Sequence, residues 1–166
     1  MFERLVLAID GSPAGGVGLS FVTAVARTHR SAVHVVHANL VVIAGRGVTA
    51  ESGEYASRVV SDAVDQLGAS GLEATGELVT VPYFHLGPRV AEVADRFGAD
   101  AIVLGSHRLR GPGRLFGHGM RERITRATPL PVLVAPAPLR VGRMHRAGPV
   151  TGHRPLSPSG PPGPEG

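Results

Sequence analysis

Two segments of the chain carry residue types that do chemistry at an informative spacing. Asp10 closes the apolar run Leu5-Val-Leu-Ala-Ile9 and leads into Gly11-Ser12-Pro13. A carboxylate at the carboxyl end of a buried strand either faces a ligand or turns back to accept hydrogen bonds from the N–H groups of its own turn. The second segment, Gly105 to Gly119, gathers several glycines with Arg108, Arg110 and Arg114, and Arg121 stands just beyond it. Glycine lets the backbone approach an anion closely, helix N-termini point N–H groups at it, and an arginine fork takes two phosphate oxygens at once. The segment therefore reads in two ways. It is an anion site built from Gly117 to Gly119 at the start of a helix plus one or two arginines, or it is a solvated basic loop. Gly111-Pro-Gly113 is not a dinucleotide fingerprint, because no strand immediately precedes it.

Other chemistries find less support. With no cysteine in the chain, disulfides, thiolate zinc sites and cysteine nucleophiles are excluded. His34 and His37 lie three apart on a strand and so face opposite sides of a sheet, where they cannot share a metal ion. His107 and His118 share the arginine-bearing segment but have no evident carboxylate to complete a metal site. No serine pairs with a base by spacing, and no residue can be named as a base for water. Neither an enzyme nor a metal protein is expected.

The elements that must position Asp10 and the loop follow from periodicity. Leu5–Ile9 and Ala32–Ala38 are short apolar runs of the kind buried on both faces of a parallel sheet. Between them Ser12 is placed to cap a helix and Pro13 to open it, with Leu19, Val22 and Ala26 facing inward. A loop containing Gly45 and Gly47 leads to a helix whose apolar face is Ala56, Val59, Val60, Ala63, Val64 and Leu67, stopped by Gly68 and Gly71. Leu72–Pro82 reads as a third strand. Pro88 opens a further helix buried through Val90, Val93, Ala94 and Phe97, and Gly98 ends it. Ala101–Leu104 is the fourth strand, Met120–Ala127 a short helix with Met120, Ile124 and Ala127 inward, and Pro131–Ala135 the fifth strand. Alternation of this kind predicts an α/β fold: an open, five-stranded, mostly parallel doubly wound sheet with helices on both faces. Asp10 and Gly105 then sit at the same edge of the sheet, where both can line one cleft.

The 166 residues suit one domain, expected over 1–136. Beyond it, residues 137–166 are rich in Pro, Gly, Ser and Arg, a composition expected to stay disordered. The net charge of +4 is concentrated there, in Arg140, Arg143, Arg146 and Arg154 against Glu165. The remainder is nearly neutral and the tail has no aromatic residue to stack on bases, which argues against a nucleic-acid partner. No secretory leader and no apolar run long enough for a membrane span are evident, so a cytoplasmic protein is expected.

Three landmarks together resemble the universal stress protein family. The first strand ending in Asp10-Gly-Ser is similar to that family's opening, and Ala99-Asp100-Ala-Ile-Val-Leu-Gly-Ser106 to its G-A-D-x-I-V-M-G-S segment. Pro129-Leu-Pro-Val-Leu-Val134 is similar to its closing P-x-P-V-L-V strand. The resemblance implies the fold of adenine-nucleotide-binding α/β proteins and ATP as the ligand. Its contact positions map to Asp10 and Ala38 beside the base, and to Leu104, Gly105, Arg108, His118, Gly119 and Met120 in and around the loop. The family's loop reads G-x2-G-x9-G-[S/T]. Here Gly105 keeps the first glycine, Arg108 replaces the second, His118 the third, and Gly119 takes the hydroxyl position. If the loop holds phosphate, it does so with more side-chain and less main-chain contact, and Arg108→Ala weakens binding. The alternative implied by the same resemblance is a nucleotide-free homodimer paired through the last strand, Val132–Ala135, whose apolar edge calls for a partner. His37 stands where the family usually has a histidine, and a satisfied buried ring is expected.

Overall fold

Along the first strand, odd and even residues go to different cores, and this alternation organises the molecule. The computed structural model describes residues 2–11, 13–44, 47–105 and 114–136. Its elements are β1 (Arg4–Ile9), α1 (Pro13–His29), β2 (Ala32–Ala44), β3 (Gly47–Thr49), α2 (Gly53–Ala69), β4 (Ala74–Pro82), a 3₁₀ turn (Tyr83–His85), α3 (Leu86–Phe97), β5 (Ala101–Leu104), α4 (Arg114–Ala127) and β6 (Val132–Val134). Five strands form a parallel sheet in the order β4-β2-β1-β5-β6, as the alternation of elements predicts. Leu7 faces Val35 on one neighbour and Val103 on the other.

Leu5, Leu7, Val33, Val35, Ala101 and Val103 pack one face of the sheet against Leu19, Val22 and Ala26 of α1 and Ala63 and Leu67 of α2. Val6, Val36, Val79, Ile102 and Leu104 pack the other face against Leu86, Val90, Val93 and Ala94 of α3 and Ile124 of α4. A strand with a period of two between two helical layers needs apolar residues throughout, which is why β1 and β5 are unbroken apolar runs. Each such side chain removed from water contributes about 1.5–3 kcal/mol before its entropy cost.

Strands β4 and β6 are slightly shorter than the sequence suggests, and three other differences matter more. The second strand runs to Ala44, not Ala38, and its last residues Val42–Ala44 pair antiparallel with β3, a strand the sequence did not reveal. The Asn39 amide is satisfied by the backbone of Glu51, and the strand passes through it and keeps pairing with β4 to Pro82. The third helix starts at Leu86 after the 3₁₀ turn, with Pro88 inside its first turn, where a missing N–H is harmless. Gly98 ends it in the left-handed conformation at φ 68°.

The third difference bears on the loop. The last helix begins at Arg114, not Met120. The unpaired N–H groups of a helix are those of its first four residues, here Arg114 to Gly117. Of Gly117 to Gly119, only Gly117 lies in that first turn, and His118 and Gly119 stand further along the helix. Residues 106–113, with Arg108 and His107, lie outside the described residues, as do the Ser12 cap and the tail 137–166.

Candidate functional site

The strand order reverses beside β1. Chain segments leading to β2 and β4 cross over one face, and those leading to β5 and β6 cross over the other. At the carboxyl ends of strands flanking such a reversal, adjacent loops diverge and leave a crevice. A cleft opens here between β1 and β5 and extends over the end of β2. Its volume is about 170 Å³.

Four of the residues singled out in the sequence converge on it: Asp10 at the end of β1, Ala38 on β2, Leu104 at the end of β5, and Gly105 just after it. Their backbone positions follow from the parallel register, in which Ala8 lies beside both Val36 and Leu104. Helix α1 is brought close by its glycines. A Cβ on Gly18 would lie 3.1 Å from the Cα of Gly105, and one on Gly15 would lie 3.6 Å from Asp10 Oδ1. The Asp10 carboxylate thus faces the beginning of α1, and Gly105 rests against the same helix one turn further on. Glycine at 18 is what permits the closer of these approaches, while a Cβ at 15 would make only ordinary contact.

The other four are placed as follows. His118, Gly119 and Met120 are residues of α4, and Arg108 lies outside the described residues. Gly119 faces Tyr83, whose hydroxyl would be 2.5 Å from a Cβ at that position. The Tyr83 ring also lies under the Arg123 guanidinium, 4.6 Å from ring centroid to Cζ. A side chain at 119 would have to displace the tyrosine.

Several lining residues were not apparent beforehand. Leu40, Leu86, Val90 and Ile124 give the cleft an apolar wall, Arg121 places a cation on it, and Glu51 places a second carboxylate opposite Asp10's strand. Arg121 was visible as part of the local charge, but Glu51 carried no signal beyond being a polar residue before the Ser52 cap of α2. It arrives through tertiary contacts. Its Oε2 is 2.7 Å from Nε2 of His37, and its backbone N–H and C=O pair with the Asn39 amide at 3.0 and 2.9 Å.

The histidines separate as the strand geometry requires. His37 is buried, with Nδ1 3.1 Å from the Ile9 carbonyl. His34 faces the opposite side, 2.7 Å from the Thr75 hydroxyl and stacked on Phe97. A mostly apolar crevice with a few fixed polar groups suits a flat ring bearing hydroxyl or amino groups, and Arg121 supplies a partner for an anion.

The model of the universal stress protein family matches residues 1–136. No curated protein matches the chain in sequence. Among solved structures, a universal stress protein family member from Burkholderia pseudomallei is 22% identical, with a TM-score of 0.62 over 81% of this chain and 96% of that one. A universal stress protein in complex with cAMP is 20% identical, with a TM-score of 0.60 over 81% and 97% of the two chains. One from Archaeoglobus fulgidus in complex with dAMP is 24% identical, with a TM-score of 0.59 over 81% and 98%. At these identities the solved structures establish the fold, and the family match over most of the sequence establishes the kinship. The chain belongs to the universal stress protein family.

Proposed function

We propose that this protein binds an adenine nucleotide in the cleft between Asp10 and Gly105 and acts as a nucleotide-responsive stress protein, without turnover chemistry of its own. The observation that carries this reading is the convergence of Asp10, Ala38, Leu104 and Gly105 on one apolar crevice at the strand-order reversal. Two proteins of the same fold hold cAMP and dAMP, ligands with the flat ring that an apolar crevice of this kind suits. ATP is the ligand the loop resemblance suggests, with Arg121 and the arginines of the preceding loop taking the place of lost main-chain contacts.

The test is the ligand content of the purified protein, released by denaturation and identified by mass, followed by calorimetric titration with AMP and ATP. Binding of either is expected, weakened at least tenfold by Asp10→Ala. Absence of any released nucleotide together with no heat at millimolar AMP or ATP overturns the proposal.

A second reading, compatible with the first, is a homodimer paired through β6. It is favoured by the position of Val132–Val134 at the sheet edge, where three consecutive apolar residues remain only half-buried.

A further inference from the structure

Two polar side chains on β2, His37 and Asn39, are 1% and 4% exposed. Two residues apart on one strand, they point to the same face. Burying such groups costs free energy unless their hydrogen bonds are made, and both make them to the same residue. His37 bridges the Ile9 carbonyl and Glu51 Oε2, while the Asn39 amide takes the N–H and C=O of Glu51 in a two-point pair.

Glu51 is thus held at three points ahead of α2, with its backbone direction and one carboxylate oxygen both set. Its side chain is nevertheless 40% exposed, and the residue lines the cleft. No hydrogen bond to its other oxygen is made among the described residues. Merely joining β2 to α2 would not need this, since the Ser52 hydroxyl already caps the helix by accepting from Tyr55 N–H. Fixing an acid by buried partners in the exposed wall of a cavity is how a binding group is preorganised.

We propose that Glu51 is a ligand-contacting residue of the cleft, accepting a hydrogen bond from a hydroxyl or amino donor on the nucleoside part of the ligand, with His37 and Asn39 as its positioning residues. This rests on the reading of the cleft as a nucleotide site and specifies its selectivity. A carboxylate attracts donors and repels phosphate oxygens, so Glu51 favours the nucleoside end over a polyphosphate.

The experiment is calorimetric titration of the full chain and of Glu51→Gln with adenosine and with ATP, alongside thermal melts. Loss of a charge-assisted hydrogen bond is expected to weaken adenosine about tenfold. ATP should weaken by less, because removing the charge also relieves repulsion. Equal adenosine affinity in the two proteins, with or without a change in melting, assigns Glu51 a purely structural role and overturns the proposal. Failure of the unsubstituted chain to bind either compound overturns the cleft reading and this one together, so the two failures are distinguishable. Should Glu51→Gln not fold, Glu51→Asp shortens the reach while keeping the charge and carries the same expected loss. For the positioning role, Asn39→Ala is expected to speed amide hydrogen exchange at Glu51 and to weaken adenosine severalfold. Faster exchange with unchanged affinity overturns that part.

Discussion

Asp100 shows how one side chain ties the sheet together at the end opposite the cleft. Its carboxylate accepts hydrogen bonds from the backbone N–H groups of Arg4 at 2.8 Å and Glu3 at 2.6 Å, while its own N–H donates to the Arg4 carbonyl at 2.8 Å. Those two N–H groups, that of Arg4 first, hold the carboxyl below its ordinary range because they favour the charged form. A depressed native value means that this stabilisation is complete above the ordinary carboxylate range near pH 4 and is lost as pH falls through the lower native value. Asp100→Asn is therefore expected to cost about 1 kcal/mol at neutral pH and to flatten the loss of stability in acid, as measured by urea unfolding from pH 3 to 7. At the other end of β1, Asp10→Ala is expected to weaken nucleotide binding at least tenfold, as read by calorimetric titration. Sequence resemblance marked both aspartates, but only the contacts separate a residue that clamps two strand starts from one that lines a cleft.

At the scale of elements, helix placement depends on glycines where backbones meet. Gly87 on α3 lies so close to α4 that a Cβ there would be 2.4 Å from the Arg123 carbonyl oxygen. Gly87→Ala must push the two helices apart and is expected to cost about 1–3 kcal/mol, the range for overpacking a tight contact, read from the shift in a denaturant midpoint. Gly18 is a milder case nearer the site, since its added methyl would meet Gly105 at 3.1–3.2 Å. Gly18→Ala is expected to move Gly105 and weaken nucleotide binding severalfold with a smaller loss of stability, which paired melts and titrations will separate. Apolar spacing located α1, α2 and α3 because a helix face repeats through local chain geometry. The start of α4 was not legible. Its first turn, Arg114 to Gly117, follows Gly111-Pro-Gly113 and ends in a glycine, so the local pattern there resembles a loop.

For the whole molecule, the sheet leaves β4 and β6 at its edges. Strand β6 has three half-buried apolar residues and no strand beyond it among the described residues. An edge of that kind is usually covered, paired or charged. Pairing with a second copy is the expected solution, and multi-angle light scattering should give a dimer mass that persists on dilution to micromolar concentration. Leu133→Arg is expected to shift the population to monomer by burying a charge at the two-fold axis. A monomer in the unsubstituted protein at all concentrations would rule out the pairing. Among the described residues no helix is long and apolar enough to cross a membrane.

The sequence by itself determined the five parallel strands, the helices between them and most of the residues that face inward. Each of these depends on periodicity, capping and crossover length, properties that neighbouring residues express together. It also placed Asp10 and Gly105 on one edge of the sheet, since both follow strands that run the same way. Only the tertiary structure decided that they share a cleft, because that requires β1 and β5 to be neighbours at the reversal of strand order. It alone brought Glu51 to the cleft, through hydrogen bonds with His37 and Asn39 that no local pattern encodes. It also moved the start of α4 back to Arg114 and drew His118 and Gly119 into a helix. The loop that first marked the chain as an anion binder is thus shorter than its glycines suggest, and the cleft beside it depends more on side chains from distant strands.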